Sequence, residues 1–265
     1  MSKPVVLAVA AHPDDIELMM AGTMLMLARA GWEVHYINLC NGSMGTAEHD
    51  RDTIVAIRAE EGREAARILG ATWHPPMVDD LDLYYDRSLP RRLGAVVRDV
   101  KPAIMLVQSP QDYMEDHMNA CRVAVTAAFC RGMRNFITDP IREPVAGEVT
   151  LYHALPWGLR DPLRRVIRAG QYVNIEPVLT MKRAALAAHK SQKEWLDRSQ
   201  GLDSYLTTME DMARQVGRMS GTFDCAEGWR RHLHLGFCAE GADPLADALG
   251  NSVVIDEAYE RALDQ

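Results

Sequence analysis

Residues 5–15 read Val5-Val6-Leu7-Ala8-Val9-Ala10-Ala11-His12-Pro13-Asp14-Asp15, and this stretch decides the fold. The apolar run from Val5 to Ala11 has the character of a strand buried on both faces. A helical segment, Ile16 to Ala30, follows at once, with Gly31 placed to end it. In open parallel sheets, a strand-to-helix turn lies at the carboxyl edge, where ligands bind. The glycine-rich phosphate cradle GxGxxG is missing from this turn. An imidazole, His12, and two carboxylates, Asp14 and Asp15, stand there instead, and those are metal-ligand types. Pro13 stiffens the turn. One aspartate could serve merely as a helix cap. Capping needs neither the second aspartate nor His12, so a metal site is the better reading.

The same rhythm continues outward. Strands are expected at Val34–Cys40, within Thr72–Val78 and at Ala103–Gln108. Helices are expected at Thr53–Leu69, ended by Gly70, at Ser88–Val100 and at Asp116–Arg131. This βαβα alternation predicts an α/β fold: a Rossmann-like, mainly parallel sheet with helices on both faces. After Gly132 the pattern loosens. Residues 134–176 are loop-rich, with short strands expected at Val149–Ala154 and Tyr172–Ile175, residues 177–219 read as helical, and the tail from Phe223 shows no legible period. The expected organisation is a single domain over 1–265, a core of 1–133 completed by the loops and helices of 134–265.

Composition excludes several classes. The chain has 265 residues, enough for a substantial core, and its net charge of −8 argues against a nucleic-acid surface. No apolar run is long enough for a membrane span, and the opening residues lack the three parts of a signal peptide. The five cysteines, Cys40, Cys121, Cys130, Cys225 and Cys238, are scattered and form no CxxC pair. They read as reduced thiols packed in the core of a cytoplasmic protein.

A second cluster, Gln111-Asp112-Tyr113-Met114-Glu115-Asp116-His117, follows the fourth strand and opens a helix. It can therefore reach the sheet edge that carries His12. Asp116 is placed to cap that helix. His117 falls in its first turn, where the dipole disfavours protonation, and neutral imidazole is the form that binds metal. His12, Asp15 and His117 would make a three-ligand zinc site with one position open for water, the catalytic pattern.

At this point the chain resembles a known family. Ala11-His12-Pro13-Asp14-Asp15, with Glu17 and Gly22, is similar to the signature of the LmbE-like, or PIG-L, zinc-dependent deacetylases of N-acetyl sugars. Met114-Glu115-Asp116-His117 is similar to their His-x-Asp-His motif, and Arg58 with Glu61 to their Arg-x-x-Glu. His189-Lys190-Ser191-Gln192 gives a shorter match to His-x-Ser-Gln. The resemblance implies zinc on His12, Asp15 and His117, Asp14 as general base, and a small amino-sugar substrate met by Arg58, Glu61 and Asp116. Homo-oligomers occur in the family, and the same is expected here by analogy. The chain departs at Met114, where the family has a histidine acting as acid or transition-state stabiliser. A thioether can do neither, which leaves three readings: His189 or His153 supplies the proton if folded close, catalysis runs more slowly on zinc and Asp14 alone, or the site serves a different substrate or binding only.

The residue types carry a mechanism of their own. Zinc lowers the pKa of water and polarises an acyl carbonyl, and Asp14 can accept the water's proton. At about 100° per residue, Arg58 and Glu61 fall on the same helix face as Ile54, Ile57 and Leu69. Two charges on an apolar face suggest either a plain i,i+3 pair or a Glu61 that aims Arg58 at a substrate oxygen. The methionines at 19, 20, 24 and 26 read as core filler. Tyr84 and Tyr85 read as loop packing, and Trp157-Gly158 as a wall for a sugar ring. The expected function is removal of an N-acetyl group from an N-acetylglucosamine-type conjugate. The rivals are a zinc hydrolase of another small acyl group, a metal-binding protein with altered or lost deacetylase activity, and a nucleotide-binding protein.

Overall fold

The computed structural model describes residues 3–193 and 204–263. Its eight strands are β1 (Val5–Ala10), β2 (Glu33–Asn38), β3 (Thr72–His74), β4 (Ile104–Val107), β5 (Thr150–Ala154), β6 (Gln171–Asn174), β7 (Ala226–Arg231) and β8 (Val253–Ile255). They form one sheet in the order β3-β2-β1-β4-β5-β7-β6-β8. The first five strands pair in parallel, with Val6 opposite both Val34 and Ile104. β7, β6 and β8 continue the sheet antiparallel. The strand order reverses direction at β1 and β4, so the loops after these two strands open onto one crevice.

Side chains alternate across the sheet, as period two requires. Val6, Ala8 and Ala10 of β1 pack on one face, with Tyr36, Leu106, Met24 and Leu69. Leu7, Val9 and Ala11 pack on the other, with Ile37, Val107, Leu93 and Val123. The first face is covered by α2 (Ala21–Arg29) and α3 (Arg51–Leu69), the second by α4 (Leu89–Val100) and α5 (Glu115–Phe129). The Rossmann-like α/β reading is thus met, with helices on both faces. Of the predicted helical region 177–219, α6 (Leu179–Leu186) and α7 (Ser204–Ser220) are seen. Residues 194–203 lie outside those described. The unread tail supplies β7, α8 (Pro244–Leu249), β8 and α9 (Glu257–Leu263). Among the described residues, no helix is long and apolar enough to cross a membrane.

The helix expected over Ile16–Ala30 is instead two, α1 (Asp15–Met19) and α2, broken at Met20. The cause is a buried ion pair inserted in the helix ladder. Lys182 Nζ donates to Leu18 O at 3.0 Å, the acceptor that Gly22 N would otherwise use. Gly22 N and Thr23 N donate instead to Glu227, at 2.8 and 2.7 Å. Lys182 and Glu227 meet at 2.6 Å with both side chains buried. Glu227 therefore caps α2 from β7, across more than two hundred residues. Only glycine fits at position 22, because a Cβ there would lie 2.6 Å from Ile175 Cγ2 and 2.8 Å from Glu227 Oε1. Gly22→Ala is expected to lower stability by about 1–3 kcal/mol through this overpacking. Thermal unfolding followed by circular dichroism checks it, and an unchanged midpoint would contradict the contact.

Candidate metal centre at the carboxyl edge

The turn after β1 is tied to the end of β4, since Ala11 N donates to Gln108 Oε1 at 2.8 Å. His12, Asp14 and Asp15 leave this turn. Asp14 has φ 116°, ψ −23°, a conformation that favours glycine, and it begins α1 without a side-chain cap bond. Strain of this kind, on a residue aimed into a cavity, marks a position whose side chain is needed there. Asp15 Oδ2 accepts from His12 N at 2.6 Å and so closes the turn. From the loop after β4 comes α5, whose first turn carries Asp116 and His117.

His12, Asp15 and His117 converge, each offering a ligand atom within 4.8 Å of the others. The two imidazoles are held alike. His12 turns Nδ1 toward Asp15, at 3.5 Å, and Nε2 onto buried Asp116, at 3.0 Å. His117 turns Nε2 toward Asp15, at 3.3 Å, and Nδ1 onto buried Asp112, at 3.0 Å. This is the carboxylate–histidine arrangement that orients metal-binding imidazoles. The donor chemistry fits a divalent cation, because three buried carboxylates surround two imidazoles. A second group, His12, Cys40 and Asp116, shares the outer side of His12 and also lies within ligand reach.

Burial alone would lower the pKa of both histidines. For His12 the contacts with Asp116 and Asp15 outweigh it and hold the pKa well above the usual value. For His117 the contacts with Asp15 and Asp112 do the same. The helix dipole, expected to keep His117 neutral, is therefore overruled by the two carboxylates against it. Burial would raise Asp15, yet His117 and His12 hold it below the usual carboxylate range. Asp14 behaves oppositely. Burial pushes its pKa up, and Arg58 offsets only part of this.

The cavity above these groups has a volume of about 390 Å³ and is lined by His12, Asp14, Asp15 and His117, among others. Arg58 lines it too, buried, with Nη2 donating to Pro13 O and lying 3.8 Å from Asp14 Oδ2. Gly42 and Gly45 close around its guanidinium, where any Cβ would collide with it. Glu61 does not pair with Arg58. It accepts from Ser191 N at 2.8 Å and Ser191 Oγ at 2.7 Å, which fastens the His189–Gln192 stretch to α3. Glu61, Asp116 and His189 are not among the described residues lining the cavity. Asp116 does not cap α5 either, since that position falls to Met114 and the aspartate reaches across to His12 and to Leu81 N. His189 is fully buried, 3.4 Å from Glu17 Oε2. His153 is buried against Gln108 O and His232 and also does not line the cavity.

Two residues join the site that sequence reasoning passed over. Tyr205 of α7 donates its buried hydroxyl to Asp14 Oδ2 at 2.6 Å. No sequence signal marks it. Asp112 was visible within the cluster around His117, but its partner could not be read from spacing. Trp157 does line the cavity, whereas Tyr85 bonds to Thr126 Oγ1 at 2.9 Å in loop packing.

With this geometry in place, residues 7–129 match the family described as GlcNAc-PI de-N-acetylase, PIG-L. The motifs read from the sequence thus fall within a stretch similar to the PIG-L/LmbE family. The chain is 28% identical over 229 residues to diacetylchitobiose deacetylase of Thermococcus kodakarensis, covering 82% of this chain and 79% of that one. It is 26% identical over 195 residues to 4-oxalmesaconate hydratase of Pseudomonas putida, covering 71% and 73%. Its fold superposes on N,N'-diacetylchitobiose deacetylase of Pyrococcus horikoshii with a TM-score of 0.72 at 23% identity, covering 91% of this chain and 88% of that one. Within the PIG-L/LmbE pattern, Met114 stands where His-x-Asp-His begins, and its side chain lines the cavity.

The raised histidine pKa values carry a sign. In the metal-free protein both imidazoles stay protonated above the ordinary histidine value, so a metal must displace protons and its apparent affinity rises with pH. Zinc titrated into the metal-free protein at pH 7 is expected to release protons, seen as calorimetric heats that vary with the buffer's ionisation enthalpy. Heats independent of buffer would refute the protonated state. Asp112→Asn and Asp116→Asn are each expected to weaken metal binding by about 10–100-fold in chelator competition.

Proposed function

We propose that this protein is a zinc-dependent hydrolase that removes an N-acetyl group from an amino-sugar conjugate of the N-acetylglucosamine type. The observation that carries this reading is the pairing of two carboxylate-held histidines with Asp15, beside a buried carboxylate that is no part of that group. His12, Asp15 and His117 would hold the zinc. When bound, zinc supplies Lewis acidity, acidifying water and polarising an amide carbonyl. The relatives that are deacetylases support the reaction class. The free, mostly buried cysteines fit a reducing, cytoplasmic setting.

Asp14 moves the proton. Its Oδ2 is taken by Tyr205 and faces Arg58, which leaves Oδ1 to meet a water. Its raised pKa brings it nearer the range in which a carboxylate both accepts and returns a proton near neutrality. The water oxygen joins the acyl carbon and its proton passes to Asp14 Oδ1. The C–N bond then breaks, and Asp14 hands that proton to the departing amine, so acetate and a free amine leave. Neither Met114 nor the fully buried His189 is required as donor. Arg58 lies beside Asp14 and binds a substrate oxygen.

The hydratase relative favours a second reading, in which the same base and cation add water to a carbon–carbon double bond. Acetate release from N-acetyl sugars against hydration of unsaturated dicarboxylic acids separates the two. Under the first reading, Asp14→Asn keeps its zinc by elemental analysis and loses roughly two orders of magnitude in kcat. Turnover retained in that variant would remove Asp14 from the role.

A further inference from the structure

Several polar groups around the cavity are committed to the protein itself. Both carboxylate oxygens of Asp80 accept backbone donors, from Gly42 N at 2.7 Å and Met44 N at 3.0 Å. Ser109 Oγ donates to Gln111 O and accepts from Gln111 N and Arg230 Nη2. Gln108 gives its oxygen to Ala11 N, and Tyr205 gives its proton to Asp14. Two buried polar atoms have no hydrogen-bond partner, Arg58 Nε and Gln192 Oε1. Both residues line the cavity. A bare amino sugar carries several hydroxyls, and each needs a partner when it leaves water. Besides these two atoms, the lining offers the Tyr113 hydroxyl and the Gln108 amide nitrogen on its polar side.

Another part of the lining is apolar. Leu18, Met19, Leu155 and Trp157 form it, and Met114 adds a thioether where the family pattern has an imidazole. Met19 and Trp157 pack against a small core of Leu155, Leu159, Tyr172 and Met212, so the wall is backed by fixed side chains. Trp157 sits in a short turn after β5, between Pro156 and Gly158, whose φ of 73° suits glycine. The indole is thus positioned before any ligand arrives. It is only partly buried, and a ligand laid on it would remove further apolar surface from water.

We propose that the substrate of this site is an N-acetylated amine whose conjugated group is apolar, aromatic or alkyl, and rests on the Met19–Leu155–Trp157 wall. Arg58 and Gln192 read one polar edge next to the amide. The proposal rests on the deacetylase reading for its chemistry, and it adds the class of the acceptor. Trp157 is its specificity-determining residue.

The test compares the methyl and benzyl β-glycosides of N-acetylglucosamine as substrates of the zinc-loaded enzyme. In parallel, isothermal titration gives Kd for the methyl and benzyl glycosides of glucosamine, the two product amines. The benzyl compounds are expected to be favoured by about tenfold or more, in kcat/KM through KM and in Kd. In Trp157→Ala the preference should shrink to within about twofold, and in Trp157→Phe it should persist. Equal treatment of methyl and benzyl compounds by the wild type, or a preference that survives Trp157→Ala, overturns the proposal. Acetate release from neither substrate, with the benzyl amine still bound more tightly, removes the deacetylase reading and keeps the apolar wall. Acetate release from both without discrimination keeps the reading and removes the wall.

Discussion

The contacts of His12 with Asp116 and of His117 with Asp112 govern the site. An imidazole is useful to a cation only if one nitrogen is free and aimed. Here each ring is turned by a buried carboxylate on its far side, at 3.0 Å, so that its other nitrogen faces Asp15. The carboxylates also set the charge. Without a cation they draw protons onto the histidines, and a divalent ion can replace that charge. The His12–Asp116 contact, and the approach of both rings to Asp15, need the loops after β1 and β4 to stand side by side. The crossover that brings β4 next to β1 on the side away from β2 makes them do so.

The second half of the chain completes the site through buried polar contacts. Glu227 on β7 and Lys182 on α6 split the helix that follows the turn after β1, and so fix where α1 ends. Tyr205 on α7 fixes Asp14, while Glu61 fastens Ser191 against α3. A fully buried ion pair gives little net stability compared with apolar packing, and breaking one partner leaves an unpaired charge. The Lys182–Glu227 pair is therefore better understood as holding a geometry. It joins the antiparallel part of the sheet to the first turn of the chain.

How far the sequence told this story varies by residue. The strand Val5–Ala10 and the turn beyond it were legible, because a run of apolar residues and a change to ligand types are local signals. Arg58 was legible as a charge on an apolar helix face. Glu61 was legible as buried-side but not by partner, since Ser191 lies 130 residues away in the chain. The break at Met20 was invisible, because its cause sits on β7 and α6. β7 was unreadable for the same reason. Its residues Ala226-Glu227-Gly228-Trp229-Arg230-Arg231 show no period-two pattern, since Glu227 is buried against Lys182 and Arg230 bonds to the β4–α5 loop. Local pattern reports the strand or helix a residue joins, and contact across the fold decides what its charge is for.

The methionine at 114 ties these points together. An amide hydrolase must give its leaving amine a proton, and the family pattern offers a histidine there. In this chain His189 is buried 3.4 Å from Glu17, His153 bonds to Gln108 O and His232, and neither lines the cavity. On the proposed deacetylase reading, Asp14 carries the proton both ways. Its surroundings suit that double duty: burial raises its pKa, Arg58 limits the rise, and Tyr205 occupies one oxygen so that the other can work. Removing the imidazole from position 114 also removes a charge-bearing, strongly hydrated group from the cavity wall. The surface it leaves is apolar and continuous in character with Met19, Leu155 and Trp157. On the deacetylase reading, a methionine at 114 thus bears on both sides of the reaction: the proton transfers rest on Asp14, and the acceptor side of the cavity favours apolar partners.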